Sequence, residues 1–178
     1  MKVIFLDVDG ELTYSDYTNP ETANIDPEKA LMLKEICDKT NATVVISSSW
    51  RGTAKYTPKI YHILRKVLEE YKIPVFGDLP YIPAETIGEI PKEITFTLEE
   101  VFENPQFSLK HGTGRAAEVE KFLSENSVES FVILDDEDYD WKNYGMENNW
   151  VQPTWFGNGG LKDQHVKQAI GILNRKVR

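Results

Sequence analysis

Asp7-Val8-Asp9-Gly10 directly follows the apolar run Val3-Ile4-Phe5-Leu6. In an extended segment residues i and i+2 point to the same side, so the two carboxylates of Asp7 and Asp9 are held close together where a strand ends. Such a pair needs a compensating cation, and Mg²⁺ is the hard ion that carboxylate oxygen suits. Gly10 lets the backbone turn sharply out of the strand. The competing reading is a plain turn, since Asp and Gly are both common turn residues. Two further clusters tip the balance toward chemistry. Asp135-Asp136 follows the run Phe131–Leu134, with Glu137, Asp138 and Asp140 close behind. Carboxylates that converge without thiols or histidines match an oxygen-ligand Mg²⁺ site. Ser47-Ser48-Ser49-Trp50-Arg51 follows Val44-Val45-Ile46. Its hydroxyls and backbone N–H groups suit phosphate oxygens, and Arg51 offers a planar fork of donors. A serine nucleophile is disfavoured, because none of the three histidines holds an evident base position and glycine does not flank the serines. Arg115 follows Gly112-Thr113-Gly114 at a helix start, where a cation can neutralise charge on a transferring phosphoryl group.

The elements that must position these groups alternate in type. Val3–Leu6, Ala42–Ile46, Pro74–Phe76 and Phe131–Leu134 read as strands, short and unalternating as expected when both faces are covered. Asp26-Pro27 opens a helix to about Lys39, with Asp as N-cap and Pro at the first helical position. Helical patterns also follow Thr57-Pro58, run from Arg115 to Leu123, and run from His165 to Leu173. This alternation implies an α/β fold with a parallel sheet and right-handed crossovers. Ligands then bind beyond the carboxyl ends of the strands, which is where Asp7, Asp9, Ser47, Asp135 and Asp136 fall.

The 178 residues suffice for one domain with its own core. The single cysteine, Cys37, excludes an internal disulfide and reads as a small buried hydrophobe. No apolar run reaches membrane-spanning length and no signal-type segment opens the chain, so a cytoplasmic protein that does not engage membranes is expected. The net charge of −9 disfavours a phosphate-backbone binder and favours small phosphoesters. Residues from about 77 to 112 are proline-rich and irregular, and read as an insertion near the active-site edge. Trp150, Trp155 and Phe156 lie in a glycine-rich late segment, where packing is favoured over stacking on a base.

The ordered set of motifs resembles the haloacid dehalogenase-like (HAD) superfamily of phosphohydrolases. The motifs are Asp7-Val8-Asp9-Gly10-Glu11-Leu12-Thr13, Val44-Val45-Ile46-Ser47, a basic residue at a helix start, and Val132-Ile133-Leu134-Asp135-Asp136. The Ser-Ser-Ser-Trp-Arg segment, the Gly-Arg-Ala-Ala-Glu-Val helix start and the Asp-Asp ending are similar to HAD domains of nucleic-acid end-repair proteins, including the phosphatase part of polynucleotide kinase/phosphatases.

The resemblance implies a three-layer Rossmann-like fold with a small or absent cap, forming a single domain over residues 1–178. It implies an Mg²⁺-dependent phosphatase in which Asp7 is the nucleophile and Asp9 the acid and base. Mg²⁺ would be held by Asp7, the backbone carbonyl of Asp9 and Asp135, with Asp136 as a second ligand or a water-binding partner. Ser47 and Arg115 would hold phosphate, joined by Ser49 and Arg51; Lys110 and Lys121 compete with Arg115 for the basic position. The expected partner is a phosphorylated substrate, either a small molecule or a nucleic-acid end, with no obligate protein partner. A catalytically silent phosphate-binding or interaction module is the alternative. The paired Asp7 and Asp9 argue against it, and the carboxylates at 135 and 136 argue against a metal-independent dehalogenase.

Overall fold

A computed structural model describes residues 1–51, 58–80 and 114–175. Among these residues five parallel strands form one sheet: β1 (Lys2–Leu6), β2 (Ala42–Ile46), β3 (Val75–Asp78), β4 (Ser130–Leu134) and β5 (Trp150–Val151), in the order β3-β2-β1-β4-β5. The helices are α1 (Pro27–Thr40), α2 (Pro58–Glu70), α3 (Arg115–Glu125) and α4 (Asp163–Leu173).

Side-chain alternation along β1 divides the core. Ile4 and Leu6 pack with apolar residues of α1, α2 and α4 on one face of the sheet. Val3 and Phe5 pack on the other face with Ala116, Val119 and Phe122 of α3 and with Trp141 and Met146. The sheet is thus covered on both sides, which accounts for its unbroken apolar strands. Phe5 meets Phe122 edge-on, with ring centroids 5.4 Å apart. Helix α1 starts as its sequence dictates: the Asp26 carboxylate accepts from the Glu28 N–H at 2.8 Å and Pro27 sits in the first turn. Cys37 lies in the core, and burial pushes its thiol up to about 12.

Register decides where the site falls. Leu6 of β1 pairs level with Ile46 of β2 on one side and with Leu134 of β4 on the other. The next residues are linked across the same edge: Asp7 N–H donates to the Leu134 carbonyl at 2.9 Å, and Ser47 N–H donates to the Leu6 carbonyl at 2.8 Å. The chain runs β1-β2-β3 toward one edge and then returns to place β4 on the other side of β1. That reversal is the topological switch point at which α/β sheets bind ligands.

Two elements differ from expectation. β3 starts at Val75, one residue later than the expected Pro74, because proline has no N–H for the ladder; the Pro74 carbonyl accepts instead from Val44 N–H at 2.8 Å. It then continues through Asp78, and residues 81–112 of the segment expected to be irregular lie outside the described residues. β5 was not expected: two residues are too few to show a pattern. The β1–α1 connection holds a single 3₁₀ turn, Pro20–Thr22. No helix among the described residues is long and apolar enough to cross a membrane.

Trp141 is fully buried, and its indole N–H donates to the Glu137 carbonyl at 3.1 Å, so it ties the acidic loop after β4 to the core. Trp141→Ala should lower the unfolding free energy by about 3–5 kcal/mol, measured by urea denaturation. A loss below about 1 kcal/mol would contradict this packing.

Candidate active site

The turn leaving β1 is built on the Val8 carbonyl, which accepts from Leu12 N–H at 2.9 Å and from Thr13 N–H at 3.1 Å. Gly10 sits at φ +90°, a conformation that disfavours any side chain. A Cβ there would also lie 2.3 Å from Cγ of Asp136. Gly10 therefore serves two needs, the turn itself and the close approach of the β4 carboxylates.

Asp7, Asp135 and Asp136 converge. Each offers a carboxylate oxygen, and these oxygens lie within 4.8 Å of one another. Arg115, at the first position of α3, spans two of them: its Nη1 is 2.8 Å from Oδ2 of Asp7 and 2.5 Å from Oδ2 of Asp135. The guanidinium also stacks over the Tyr139 ring, 4.4 Å from its centroid. All three members of the ion-paired group are buried. A second layer holds the backbone of the β4 pair. Trp150 Nε1 donates to the Asp135 carbonyl at 2.7 Å, and Gln152 Nε2 donates to the Asp136 carbonyl at 2.9 Å.

Asp9 is turned away from that cluster. Its Oδ1 accepts from the Thr13 hydroxyl at 2.8 Å and its Oδ2 from Trp50 Nε1 at 2.7 Å. Together with Asp7, Ser49, Arg115, Asp136, Glu137, Tyr139, Trp155 and Phe156 it lines a cleft of about 710 Å³. Ser47 is fully buried, and its hydroxyl has no hydrogen-bond partner among the described residues. Arg51 is placed elsewhere than the cleft lining: it forms a buried ion pair with Glu118, one turn along α3 from Arg115. Lys121 is exposed in α3, whereas Arg115 touches the carboxylates; Lys110 lies outside the described residues.

Three residues of the site carried no legible signal in the sequence. Trp50 and Trp150 act through indole N–H groups whose targets come from other strands. Glu11 is the third: it is 0% exposed, and neither carboxylate oxygen has a hydrogen-bond partner among the described residues. Burial, and then the fields of Asp7, Asp135 and Asp136, push its carboxyl well above the usual range. A charged residue between Gly10 and Leu12 was the one available hint.

The electrostatics follow from crowding. Burial pushes the Asp135 carboxyl upward against the pull of Arg115, and Asp7 adds to the rise. Asp136 is pushed up to about 6, chiefly by burial and then by Asp7 and Glu137. Asp9 is raised by burial, although its hydrogen bonds from Thr13 and Trp50 oppose the rise. Burial works against the Arg115 charge, but Asp135 and Asp7 outweigh it and hold the guanidinium protonated. Among the described residues Arg115 alone ion-pairs with the three clustered carboxylates, which leaves negative charge uncompensated. An all-oxygen donor set in that state fits a hard divalent cation such as Mg²⁺.

A parallel α/β sheet carries clustered aspartates at its switch point beside a helix-borne arginine, the arrangement that the resemblance to HAD domains implies. The chain belongs to the family of HAD domains in Swiss Army Knife RNA repair proteins, which it matches over residues 3–166. Membership points to chemistry of the HAD phosphohydrolase type. No curated protein and no solved structure gives a significant match.

Gly10→Ala should destabilise the protein by about 1–3 kcal/mol, because the added Cβ displaces Asp136. Thermal melts test this, and an unchanged melting temperature would contradict it. A second prediction concerns pH. The folded protein holds the Asp136 proton more tightly than the unfolded chain does. In metal-free protein the stability this gives is complete at pH values below the ordinary carboxylate value of 3.8 and is lost as pH rises through about 6. Between pH 4 and 7 the wild type in EDTA should lose on the order of 1 kcal/mol relative to Asp136→Asn, allowing for solvent screening at this half-exposed group. Parallel unfolding profiles for the two proteins would contradict the assignment.

Proposed function

We propose that the chain is an Mg²⁺-dependent phosphomonoester hydrolase that works through an aspartyl-phosphate on Asp7, with nucleotides or nucleic-acid 3′ ends as substrates. The observation that carries this reading is the division of the two motif carboxylates: Asp7 faces Arg115 and the acidic cluster, while Asp9 stands apart on the cleft wall. In the first step an Asp7 carboxylate oxygen attacks phosphorus, the bond from phosphorus to the ester oxygen breaks, and Asp9 gives its proton to the departing oxygen. In the second step Asp9, now ionised, takes a proton from a water that attacks the same phosphorus. The bond to Asp7 breaks and inorganic phosphate leaves.

The raised Asp9 supports the acid role, because a carboxyl must keep its proton until the leaving group needs it. Thr13 and Trp50 fix its orientation for both steps. Arg115 and the Ser47 hydroxyl would hold non-bridging phosphate oxygens, and Ser49 joins them from the cleft wall. Arg51 would act on the phosphate side through Glu118 and the start of α3. Asp7, the Asp9 carbonyl, Asp135 and Asp136 would hold Mg²⁺, which when bound lets an anionic nucleophile approach an anionic phosphate. RNA-repair membership supports a nucleotide or strand-end substrate, and the net charge of −9 supports recognition of a short unit.

Asp7→Asn should abolish Mg²⁺-stimulated phosphate release from a phosphomonoester while the melting temperature is kept; substantial remaining turnover would overturn the nucleophile assignment. Trp50→Phe keeps the ring but removes the donor to Asp9. Its kcat should fall about tenfold, the scale of one lost hydrogen bond to a charged group, with KM little changed. An unaltered kcat would show that Trp50 does not position Asp9.

A further inference from the structure

Part of the cleft lining is aromatic. Trp155 and Phe156 follow β5 and line the same 710 Å³ cleft as Asp7, Asp9 and Arg115. Phe156 is 79% exposed, an unfavourable place for a large apolar ring. The loop that presents it is tied down on several sides. Ser15 N–H donates to the Trp155 carbonyl at 2.9 Å, and Gly157 N–H donates to the Ser15 hydroxyl at 2.8 Å. Leu161 N–H donates to the Glu11 carbonyl at 2.9 Å, and Gly160 N–H to the Thr154 carbonyl at 2.9 Å. Gly159 permits the tight fold, since a Cβ there would lie 2.0 Å from the Thr154 carbonyl oxygen. The backbone that carries the aromatic pair is therefore tied to the segment that follows Asp7 and Asp9, through Glu11 and Ser15.

A phosphoryl group fills only part of such a cleft, and the remainder falls to the leaving group. Tyr139 stacks on Arg115, and the Asp136 and Glu137 carboxylates disfavour anionic charge beyond that of the phosphate itself. An apolar face set beside a phosphate site, with acidic groups around it, suits a flat, weakly charged ring joined to one phosphate. We propose that Trp155 and Phe156 form a stacking platform for a nucleobase, so that the recognised unit is a single nucleoside monophosphate. This deepens the phosphatase reading above and rests on it for the position of the phosphate. A free mononucleotide and the terminal nucleotide of a strand present the same unit.

The test compares kcat/KM, in the presence of Mg²⁺, for 3′- and 5′-nucleoside monophosphates, a 3′-phosphorylated oligonucleotide and ribose 5-phosphate. Stacking on one aromatic ring predicts that Phe156→Ala lowers the selectivity for nucleotide over ribose 5-phosphate by about 5- to 100-fold. Trp155→Ala should act in the same direction, and Phe156→Trp should restore selectivity. Phe156-dependent selectivity toward either the mononucleotide or the oligonucleotide supports the platform and names its source. Selectivity unchanged in both alanine variants overturns it, even if all substrates are hydrolysed. Calorimetric binding of the same ligands to Asp7→Asn separates the two readings. Phe156-dependent preference for the nucleotide there supports the platform even if wild-type protein releases no phosphate. Equal binding of nucleotide and ribose 5-phosphate overturns the platform whatever the turnover.

Discussion

One arginine holding two buried aspartates is the interaction on which the rest of the site depends. Asp7 and Asp135 come from adjacent parallel strands that end in step, so their carboxylates face each other with little water to separate them. Like charges in that position raise one another's cost of ionisation, and burial raises it further. Arg115 offsets part of this by bridging both from the first turn of α3. Asp136 and Glu11 lie in the same field, and among the described residues neither forms an ion pair. Among the described residues the cluster is therefore under-neutralised, a state in which an all-oxygen donor set suits a hard divalent cation.

Such crowding persists only if the surrounding chain cannot relax. Strand register fixes the level of Asp7, Ser47 and Asp135, and backbone hydrogen bonds between β1, β2 and β4 continue one residue past the strands. Gly10 allows the β1 turn to lie against Asp136. Trp150 of the edge strand β5 and Gln152 just after it hold the carbonyls of Asp135 and Asp136, and Trp141 anchors the following loop in the core. The strain of the site is thus met by packing on both faces of the sheet, which links a core substitution such as Trp141→Ala to the placement of charges several residues away.

The parts legible in the sequence are those encoded locally. Continuous apolar runs mark β1, β2 and β4, and polar residues immediately after them mark the sheet edge. Asp26-Pro27 marks a helix start, and Arg115 stands at another. What was illegible depends on tertiary pairing. β5 is two residues long and exists because Ile133 and Leu134 are there to pair with it. Arg51 looks like a phosphate ligand in the sequence; the partner that engages it, Glu118, is far along the chain. Trp50 looks like an ordinary aromatic until Asp9 is seen 2.7 Å from its indole nitrogen. The late aromatics were expected to pack, and they divide: Trp150 packs against the core and braces Asp135, whereas Phe156 stays exposed at the cleft.

In the proposed reaction a carboxylate oxygen of Asp7 is the atom that bonds to phosphorus. An acyl phosphate is reduced by borohydride to the alcohol, which would convert Asp7 to homoserine in protein quenched during turnover of a phosphomonoester with Mg²⁺. Peptide mass spectrometry should find that conversion at position 7, dependent on substrate and absent from Asp9, Asp135 and Asp136. Phosphate release without modification at position 7, or with modification at another carboxylate, would contradict the account.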